Sequence, residues 1–229
     1  PKGKKHFNPA KAKPILPPDN QKGDELTEVN LQSKDFSVID GSEIMPHRHN
    51  DGDSFHIKKD GNSVEFRLHH VDTTESKSSR YNGDRLKKQG AYFGGISKDD
   101  TVALGKIAAA YTRDLLSKND FKVVTKYGDV YGPGRKYAYI VLNQDGKDVF
   151  LHELLVSKGL VRVNYPVDSI RKGGSRVKVS DGDMMKANLP DGASYRSHYS
   201  KLRRMEAKAK KDGLGGWGMN NSYSVPAKF

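Results

Sequence analysis

The amino-acid sequence predicts an α+β fold, because segments with strand periodicity alternate along the chain with segments of helical periodicity. Short apolar–polar alternations occur in residues 54–68 and 121–142, whereas apolar residues recur at helical spacing in 97–115 and 195–209. The predicted order is strands, helix, strands, helix, strand, helix. With 229 residues, the chain can form one domain with a real core plus extensions, or two small domains.

The first predicted unit is a β-hairpin. Asp60-Gly61 is a dipeptide typical of tight hairpin turns, and it separates two alternating segments. The apolar residues of these segments are Phe55, Ile57, Val64, Phe66 and Leu68. Because successive strand residues point to opposite faces, Arg67 is expected on the polar face of the hairpin.

The hairpin is followed by a polar, glycine-rich stretch, residues 76–97, which we predict to be a long loop bordering a site. A helix is expected to begin at Ser97, which together with Asp100 resembles a capping box. Its apolar face comprises Leu104, Ile107, Ala108, Tyr111 and Leu115.

Strands are predicted at Phe121–Thr125 and Tyr137–Leu142, and a second helix at residues 147–158, ended by Gly159. The alternation of Val161, Val163 and Tyr165 indicates a further short strand. A third helix has lysines and arginines on one side. Its other side carries Tyr195, Tyr199, Leu202, Met205 and Ala209.

Charge and composition limit the partners of the chain. The net charge is +12, with charged residues at 30% and hydrophobic residues at 34%, so a polyanionic partner is favoured. The absence of cysteine excludes disulfides and thiolate metal sites. No apolar run has the length needed to span a bilayer, so no membrane partner is expected.

Domain boundaries follow from composition. Residues 1–35 contain half of the ten prolines and several lysines, which predicts a basic, partly disordered extension. Residues 36–218 form the predicted main domain, and residues 219–229 a C-terminal tail.

Carboxylates and arginines recur at the ends of the predicted strands. Asp53 precedes the first strand of the hairpin, and Asp72 and Glu75 follow the second, so that the three could hold one hard cation. Arg67 offers a planar fork for a phosphate, and Arg135 begins a later apolar strand. The pattern indicates chemistry on a phosphate ester.

In order and in local sequence, these three motifs resemble the active-site motifs of the staphylococcal (thermonuclease-like) nuclease family. The resemblance extends over roughly residues 43–217, with gaps. It implies an OB-type five-stranded β-barrel with about three α-helices. It also implies a calcium-dependent, largely sequence-nonspecific nuclease that hydrolyses phosphodiester bonds of DNA and RNA and leaves 3′-phosphate ends.

The resemblance assigns the calcium site residue by residue. Asp53 and Asp72 align with the carboxylates that bind Ca²⁺ directly, and the backbone carbonyl of Thr73 aligns with the neutral ligand. Asp51 aligns with a nearby carboxylate that does not bind the ion itself. Hard oxygen ligands of this kind suit Ca²⁺.

The resemblance also assigns the residues that act on the substrate. Arg67 and Arg135 align with the pair that grips the scissile phosphate, and Glu75 with the residue that holds the attacking water as general base. Tyr165 aligns with a tyrosine beside the nucleotide base. Thr74 stands where the family usually has a proline, a departure that would loosen Glu75.

Two alternatives are weighed against this assignment. His47, His49, His69 and His70 could form the zinc or Mg²⁺ site of a histidine-based nuclease, although their spacing is generic. A catalytically inactive OB-fold module that only binds nucleic acid is the other alternative. Such a module should lack an arginine or an acid, whereas this chain keeps both arginines and all three acids.

Localisation is expected to be secreted or periplasmic. The first residue is Pro1 rather than methionine, which suggests a removed segment. The expectation of export rests mainly on the resemblance.

Overall fold

The structure is a mixed α+β fold, as the sequence predicts. It is a computed structural model that describes residues 26–127, 130, 134–164, 170–172, 175–177 and 188–223.

Eleven strands occur in the described part of the chain. They are β1 (Ser37–Ile39), β2 (Glu43–Ile44), β3 (Ser54–Lys59), β4 (Asn62–Leu68), β5 (Val71–Thr73), β6 (Phe121–Thr125), β7 (Arg135–Gln144), β8 (Lys147–Phe150), β9 (Val161–Val163), β10 (Ile170–Lys172) and β11 (Ser175–Val177). The helices there are α1 (Gly83–Tyr92), α2 (Lys98–Lys118), α3 (Leu151–Ser157) and α4 (Tyr195–Lys211), followed by a 3₁₀ helix at Gly215–Tyr223.

The main sheet has seven strands in the order β1-β6-β7-β4-β3-β2, and β8 also pairs with β7. The β4–β7 pair is parallel, and the other pairs in this sheet are antiparallel. Strand β5 pairs with β9 outside it, and β10 with β11. No sheet closes into a barrel within the described residues.

The separation of β5 from the main sheet has a local cause. His70 lies between β4 and β5 and has a φ of +68°, which non-glycine residues rarely adopt. This turn takes the chain out of the β4 direction, so that Val71 pairs with Val163 of β9.

The predicted hairpin is confirmed as β3 and β4. Asp60 and Gly61 both have positive φ, 49° and 81°, as a two-residue hairpin turn requires. The register places Phe55 opposite Phe66 and Ser54 opposite Arg67. Both phenylalanines are buried in the core, where each contributes about 1.5–3 kcal/mol of burial free energy.

Helix α2 begins as predicted. The Ser97 hydroxyl accepts a hydrogen bond from the Asp100 backbone N–H at 3.0 Å and donates one to the Asp100 carboxylate at 2.6 Å. Leu104 and Ala108 on its inner face are fully buried. The helix therefore covers the core next to the hairpin.

The prediction of a loop over residues 76–97 was wrong, because α1 occupies Gly83–Tyr92. Leu86 is fully buried and is the main apolar anchor of this helix. A single anchor among polar residues gives no helical apolar periodicity, which explains the missed helix. The described residues hold four α-helices, rather than about three.

The predicted helix over residues 147–158 was half right. Lys147–Phe150 pairs with β7 as β8, and only Leu151–Ser157 is helical. Gly159 ends this helix with a φ of +64°, as expected. The strand–helix boundary depends on the neighbouring β7, and a short apolar run cannot reveal it.

The described part of the predicted N-terminal extension contacts the main domain. Thr27 donates from its backbone N–H and its hydroxyl to the carboxylate of the fully buried Glu153, at 2.7 and 2.6 Å. Lys201 of α4 also donates to both oxygens of Glu153, at 3.1 Å each. Val29 is buried in a small apolar cluster with Tyr139. Residues 26–35 are thus joined to α3 and α4, and residues 1–25 lie outside the described residues.

Three buried histidines, His70, His152 and His198, lie beside this contact, and the partly buried His69 precedes His70. His152 Nε2 lies 2.7 Å from His198 Nε2, and His70 Nε2 lies 3.1 Å from the Tyr139 hydroxyl. Burial lowers the pKa of His69 to about 3 and that of His198 to about 4, and it holds the pKa of His70 and His152 well below the usual range. The folded protein therefore keeps these rings neutral at neutral pH.

We expect the free energy of unfolding to decrease as the pH falls below about 6.5. In that range the histidines of the unfolded chain become protonated, whereas those of the folded protein stay neutral. Each such histidine contributes a slope of up to about 1.4 kcal/mol per pH unit. Urea unfolding at several pH values between about 7.5 and 5 measures the slope of the free energy of unfolding against pH.

His69→Phe should reduce that slope by one histidine's contribution. The phenyl ring can keep the stacking on Tyr137 and Tyr139, whose ring centroids lie 4.8 and 4.6 Å from that of His69. Tyr81→Phe changes an exposed ring and no histidine, so it is the control and should leave the slope unchanged. Equal slopes for His69→Phe and the parent would contradict the prediction.

Candidate active site

Arg67 is the centre of the predicted site. Its side chain is buried, and its Nη1 donates to Asp53 Oδ1 at 2.9 Å and to the Ser54 hydroxyl at 3.3 Å. Its Nη2 donates to Asp72 Oδ1 at 2.6 Å. One guanidinium therefore bridges the two predicted metal carboxylates.

Asp53 connects the hairpin to β5. Its Oδ2 accepts a hydrogen bond from the Thr73 backbone N–H at 2.6 Å, and its Oδ1 accepts one from the Ser54 hydroxyl at 2.9 Å. Asp51 lies just before it, and Asp51 Oδ1 accepts from the backbone N–H groups of Asp53 and Ser54 at 3.0 and 2.7 Å. The predicted residues Asp51, Asp53, Asp72 and Thr73 are thus brought together.

Arg135 reaches the same place from β7. Its Nη1 lies 3.4 Å from the Ser54 hydroxyl and 3.8 Å from Glu65 Oε1. The parallel pairing of β4 with β7 sets this position, because Glu65 is the partner of Arg135 in the register. The two arginines that the sequence singles out therefore approach one serine oxygen.

Arg162 of β9 was missed by the sequence analysis. Its Nε and Nη2 both lie 2.8 Å from Asp72 Oδ2, whereas Arg67 donates to the other oxygen of this carboxylate, Oδ1. In the register, Arg162 stands opposite Asp72. An arginine between two apolar strand residues, the pattern that singled out Arg67, could have identified it.

Glu75 is held by α1, from the segment that was predicted to be a loop. Arg85 Nε lies 3.0 Å from Glu75 Oε1, and Arg85 Nη2 lies 3.5 Å from Asp72 Oδ1. Glu75 is partly exposed, so this ion pair is exchangeable with solvent and ligands. Glu75 is near Asp72, as predicted, but its carboxylate faces an arginine that the sequence analysis did not assign.

Gln89, four residues after Arg85 on the same face of α1, fixes the backbone before Glu75. Its amide nitrogen donates to the Thr73 carbonyl at 3.1 Å, and its carbonyl oxygen accepts from the Glu75 backbone N–H at 3.1 Å. The side chain is buried, so these bonds are shielded from water. Gln89 thus restrains Glu75 where Thr74 replaces the expected proline.

Two glycines allow close packing beneath the site. A Cβ on Gly105 of α2 would lie 2.5 Å from the Thr74 carbonyl oxygen and 2.6 Å from that of Glu75. A Cβ on Gly52 would lie 2.6 Å from the Thr73 side chain and 2.7 Å from that of Ala108. The loops that carry the acidic residues therefore rest directly on the α2 backbone.

The charges of the site shift its pKa values. Burial alone would raise the pKa of Asp72, but Arg67, Arg162 and Arg85 lower it overall. Burial and the nearby Asp53 carboxylate raise the pKa of Asp51 well above its usual range. The arginines thus stabilise the Asp72 anion, whereas for Asp51 the effect of Arg67 is smaller than that of burial and Asp53.

The predicted metal ligands all offer oxygen donors, which a hard cation such as Ca²⁺ prefers. No group of three or more histidine, aspartate or glutamate side chains in the described part of the chain is arranged to hold a metal. The predicted set needs only two carboxylates, Asp53 and Asp72, with the Thr73 carbonyl, which keeps a lone pair beside the Gln89 bond. A cation bound to Asp53 and Asp72 would oppose the rise in the pKa of Asp51 that burial and Asp53 cause.

The structure divides the histidines of the alternative metal site between two groups. His47 contacts His49 and His56, with ring centroids 5.0 and 3.8 Å apart, whereas His69 packs against His70 and two tyrosines. No ring contact joins the two groups within the described residues. Tyr165, the predicted nucleotide-binding residue, lies outside the described residues.

Comparisons with known proteins leave the family open: no model of a known protein family and no curated protein matches the chain. None of the helices in the described ranges combines the length and the apolar character that crossing a membrane requires.

Gly105→Ala is expected to destabilise the fold by about 1–3 kcal/mol, because the methyl group would meet backbone oxygens that cannot move independently. Gly83→Ala, in the first turn of α1, is the matched control, since nothing lies within 4 Å of its added Cβ. That variant should be neutral or stabilised by about 0.5–1 kcal/mol. Urea unfolding measures both, and a neutral Gly105→Ala would contradict the described packing.

Proposed function

We propose that the protein is a calcium-dependent, largely sequence-nonspecific nuclease that hydrolyses phosphodiester bonds of DNA and RNA and leaves 3′-phosphate ends. The resemblance to the thermonuclease-like family suggests this reaction. It also suggests that the strands form an OB-type barrel and that the protein is secreted or periplasmic. One observation carries the proposal: Arg67 and Arg135 meet at the Ser54 hydroxyl, beside Asp53 and Asp72.

The arginine pair supports a phosphoryl substrate. Two guanidinium groups that converge on one point can donate to several oxygens of a phosphodiester. Such donors act most strongly on the charge that develops in the transition state, and losing one typically costs about 2.7–4 kcal/mol. Arg135 is only partly buried and can turn toward a ligand, whereas Arg67 is fixed by two carboxylates.

Glu75 is the group proposed to take a proton from the attacking water. Its carboxylate is partly exposed, while Gln89 and Gly105 hold its backbone in place. A general base needs such a position, with a fixed backbone and a reachable oxygen. Arg85 positions the Glu75 carboxylate beside Asp72.

Asp53, Asp72 and the Thr73 carbonyl would hold the calcium ion, with Asp51 behind them. When bound, the ion neutralises phosphate charge and lowers the barrier to attack by water. The net charge of +12 favours a polyanionic substrate, in agreement with DNA and RNA.

A catalytically inactive nucleic-acid-binding module is the second candidate. It is favoured by the pairing of Arg67, whose Nη1 and Nη2 atoms both donate to carboxylates. An arginine so engaged can be purely structural. The two candidates differ in turnover and in product ends, and both can be measured.

The protein should cleave single-stranded DNA with Ca²⁺ and lose this activity in chelator, because a cation held by Asp53 and Asp72 would neutralise phosphate charge and lower the barrier to attack by water. Mg²⁺ should support less cleavage, since it demands a tighter octahedral geometry. The products should carry 3′-phosphate ends, detectable by their resistance to 3′ extension until phosphatase is added. Undiminished cleavage in chelator would exclude the calcium assignment.

Arg135→Lys separates the two candidates. Lysine keeps the positive charge but lacks the bidentate fork, so DNA affinity should remain within about tenfold while cleavage falls at least about a hundredfold. Glu75→Gln should behave in the same way. Lys118→Ala, at the far end of α2, is the control and should retain both properties. Normal cleavage by Arg135→Lys, or none by the parent with Ca²⁺, would favour the binding module.

A further inference from the structure

Tyr81, just before α1, is the most exposed large apolar side chain of the described residues. Its relative exposure is 80%, against 46% for Tyr127 and 43% for Val38. The Arg80 guanidinium lies over its ring at 4.5 Å from the centroid. An aromatic ring with a cation on one face and solvent on the other is a suitable platform for a nucleobase.

The turn that presents Tyr81 is built by hydrogen bonds. The Asn82 side chain accepts from the Ser79 backbone N–H and donates to the Lys77 carbonyl, both at 2.8 Å. The Tyr81 backbone N–H donates to the Ser79 hydroxyl at 3.3 Å. Lys77 Nζ in turn donates to the Arg48 carbonyl at 3.1 Å, which attaches this segment to the loop before β3. These hydrogen bonds fix the backbone of the turn, from which the Tyr81 ring projects into solvent.

This turn adjoins the candidate active site. Arg85, four residues after Tyr81 in the first turn of α1, reaches both Glu75 and Asp72. This segment is basic. Residues 80–88 contain one acid, Asp84, and four basic residues: Arg80, Arg85, Lys87 and Lys88. A phosphate chain that leaves Arg67 can thus continue toward Arg80.

We propose that Tyr81 and Arg80 form a subsite in single-stranded nucleic acid for a nucleotide beyond the two that flank the scissile phosphate. A base stacks on the free face of Tyr81, and the neighbouring phosphate pairs with Arg80. The position of this subsite relative to the scissile phosphate rests on the proposed nuclease function. The inference itself is that Tyr81 binds a base. Bases in a duplex are already stacked on one another, so the subsite selects single strands.

The test measures binding and cleavage separately. Affinity for a fluorescent oligothymidylate is measured by anisotropy in chelator, where no cleavage is expected, for the parent, Tyr81→Ala and Tyr81→Phe. Lys118→Ala controls for the loss of an exposed side chain elsewhere, because about 20 Å of helix α2 separates it from Gly105 under the site. A duplex of the same length is the second ligand.

Tyr81→Ala should lose about 5- to 150-fold in affinity for the single strand, the range of one base–aromatic stack. Tyr81→Phe should bind like the parent because it keeps the ring. Duplex affinity should change less than twofold in both, as should single-strand affinity in Lys118→Ala. Parent-like binding by Tyr81→Ala, or equal losses in Tyr81→Ala and Tyr81→Phe, would overturn the subsite.

Cleavage with Ca²⁺ distinguishes this inference from the proposed function. Tyr81→Ala should lower kcat/KM for the oligothymidylate but leave it unchanged for the dinucleotide TpT, which is too short to fill the subsite. Equal losses on both substrates would overturn it. If the parent cleaves neither substrate, the nuclease proposal fails, and the anisotropy result alone decides whether Tyr81 binds a base.

Discussion

The buried Arg67 guanidinium between Asp53 and Asp72 is the interaction on which the rest of the site depends. It joins the β3–β4 hairpin to β5, whose strand partner in the described part of the chain is β9. Removing one partner of such a buried group leaves an uncompensated charge, at a cost of about 3–5 kcal/mol. The same bridge holds the two carboxylates apart from solvent and close to each other, so structure and proposed chemistry rest on the same atoms.

Around this bridge lies an outer layer of arginines that differ in how firmly they are held. Two Arg162 nitrogens contact Asp72 Oδ2 at 2.8 Å, whereas Arg85 and Arg135, which are both partly exposed, make longer contacts of 3.5 Å to Asp72 and 3.8 Å to Glu65. Exposed ion pairs contribute little to stability, so these two can exchange partners at low cost. A cation and a phosphate entering together would replace the charges that they now balance. Without a ligand, the arginines and the carboxylates of the site therefore balance each other, and the site can accept a cation together with a phosphate.

Helix α1 links this layer to the backbone beneath it. Arg85 and Gln89 lie on one face, the first on the Glu75 carboxylate and the second on the backbone around Thr74. The close approach of Gly105 of α2 supports the same loop from below. Glu75 is therefore restrained by tertiary contacts where a proline would restrain it through its own ring. Tyr81 lies just before the start of α1, at the same end as Arg85, so one segment connects the proposed base to the proposed nucleotide subsite.

The sequence alone determined the features that depend on neighbouring residues. The Asp60-Gly61 turn and the alternation around it fix the hairpin register and so place Arg67 opposite Ser54. Likewise, Ser97 begins α2 and Gly159 ends α3 through local hydrogen bonding and positive φ. Only the tertiary structure decided the pairing of β5 with β9, the boundary between β8 and α3, and the existence of α1. Arg85, Arg162 and Gln89 gain their roles in the same way, because their partners are 10 to 90 residues away, and residue spacing carries no signal at that range.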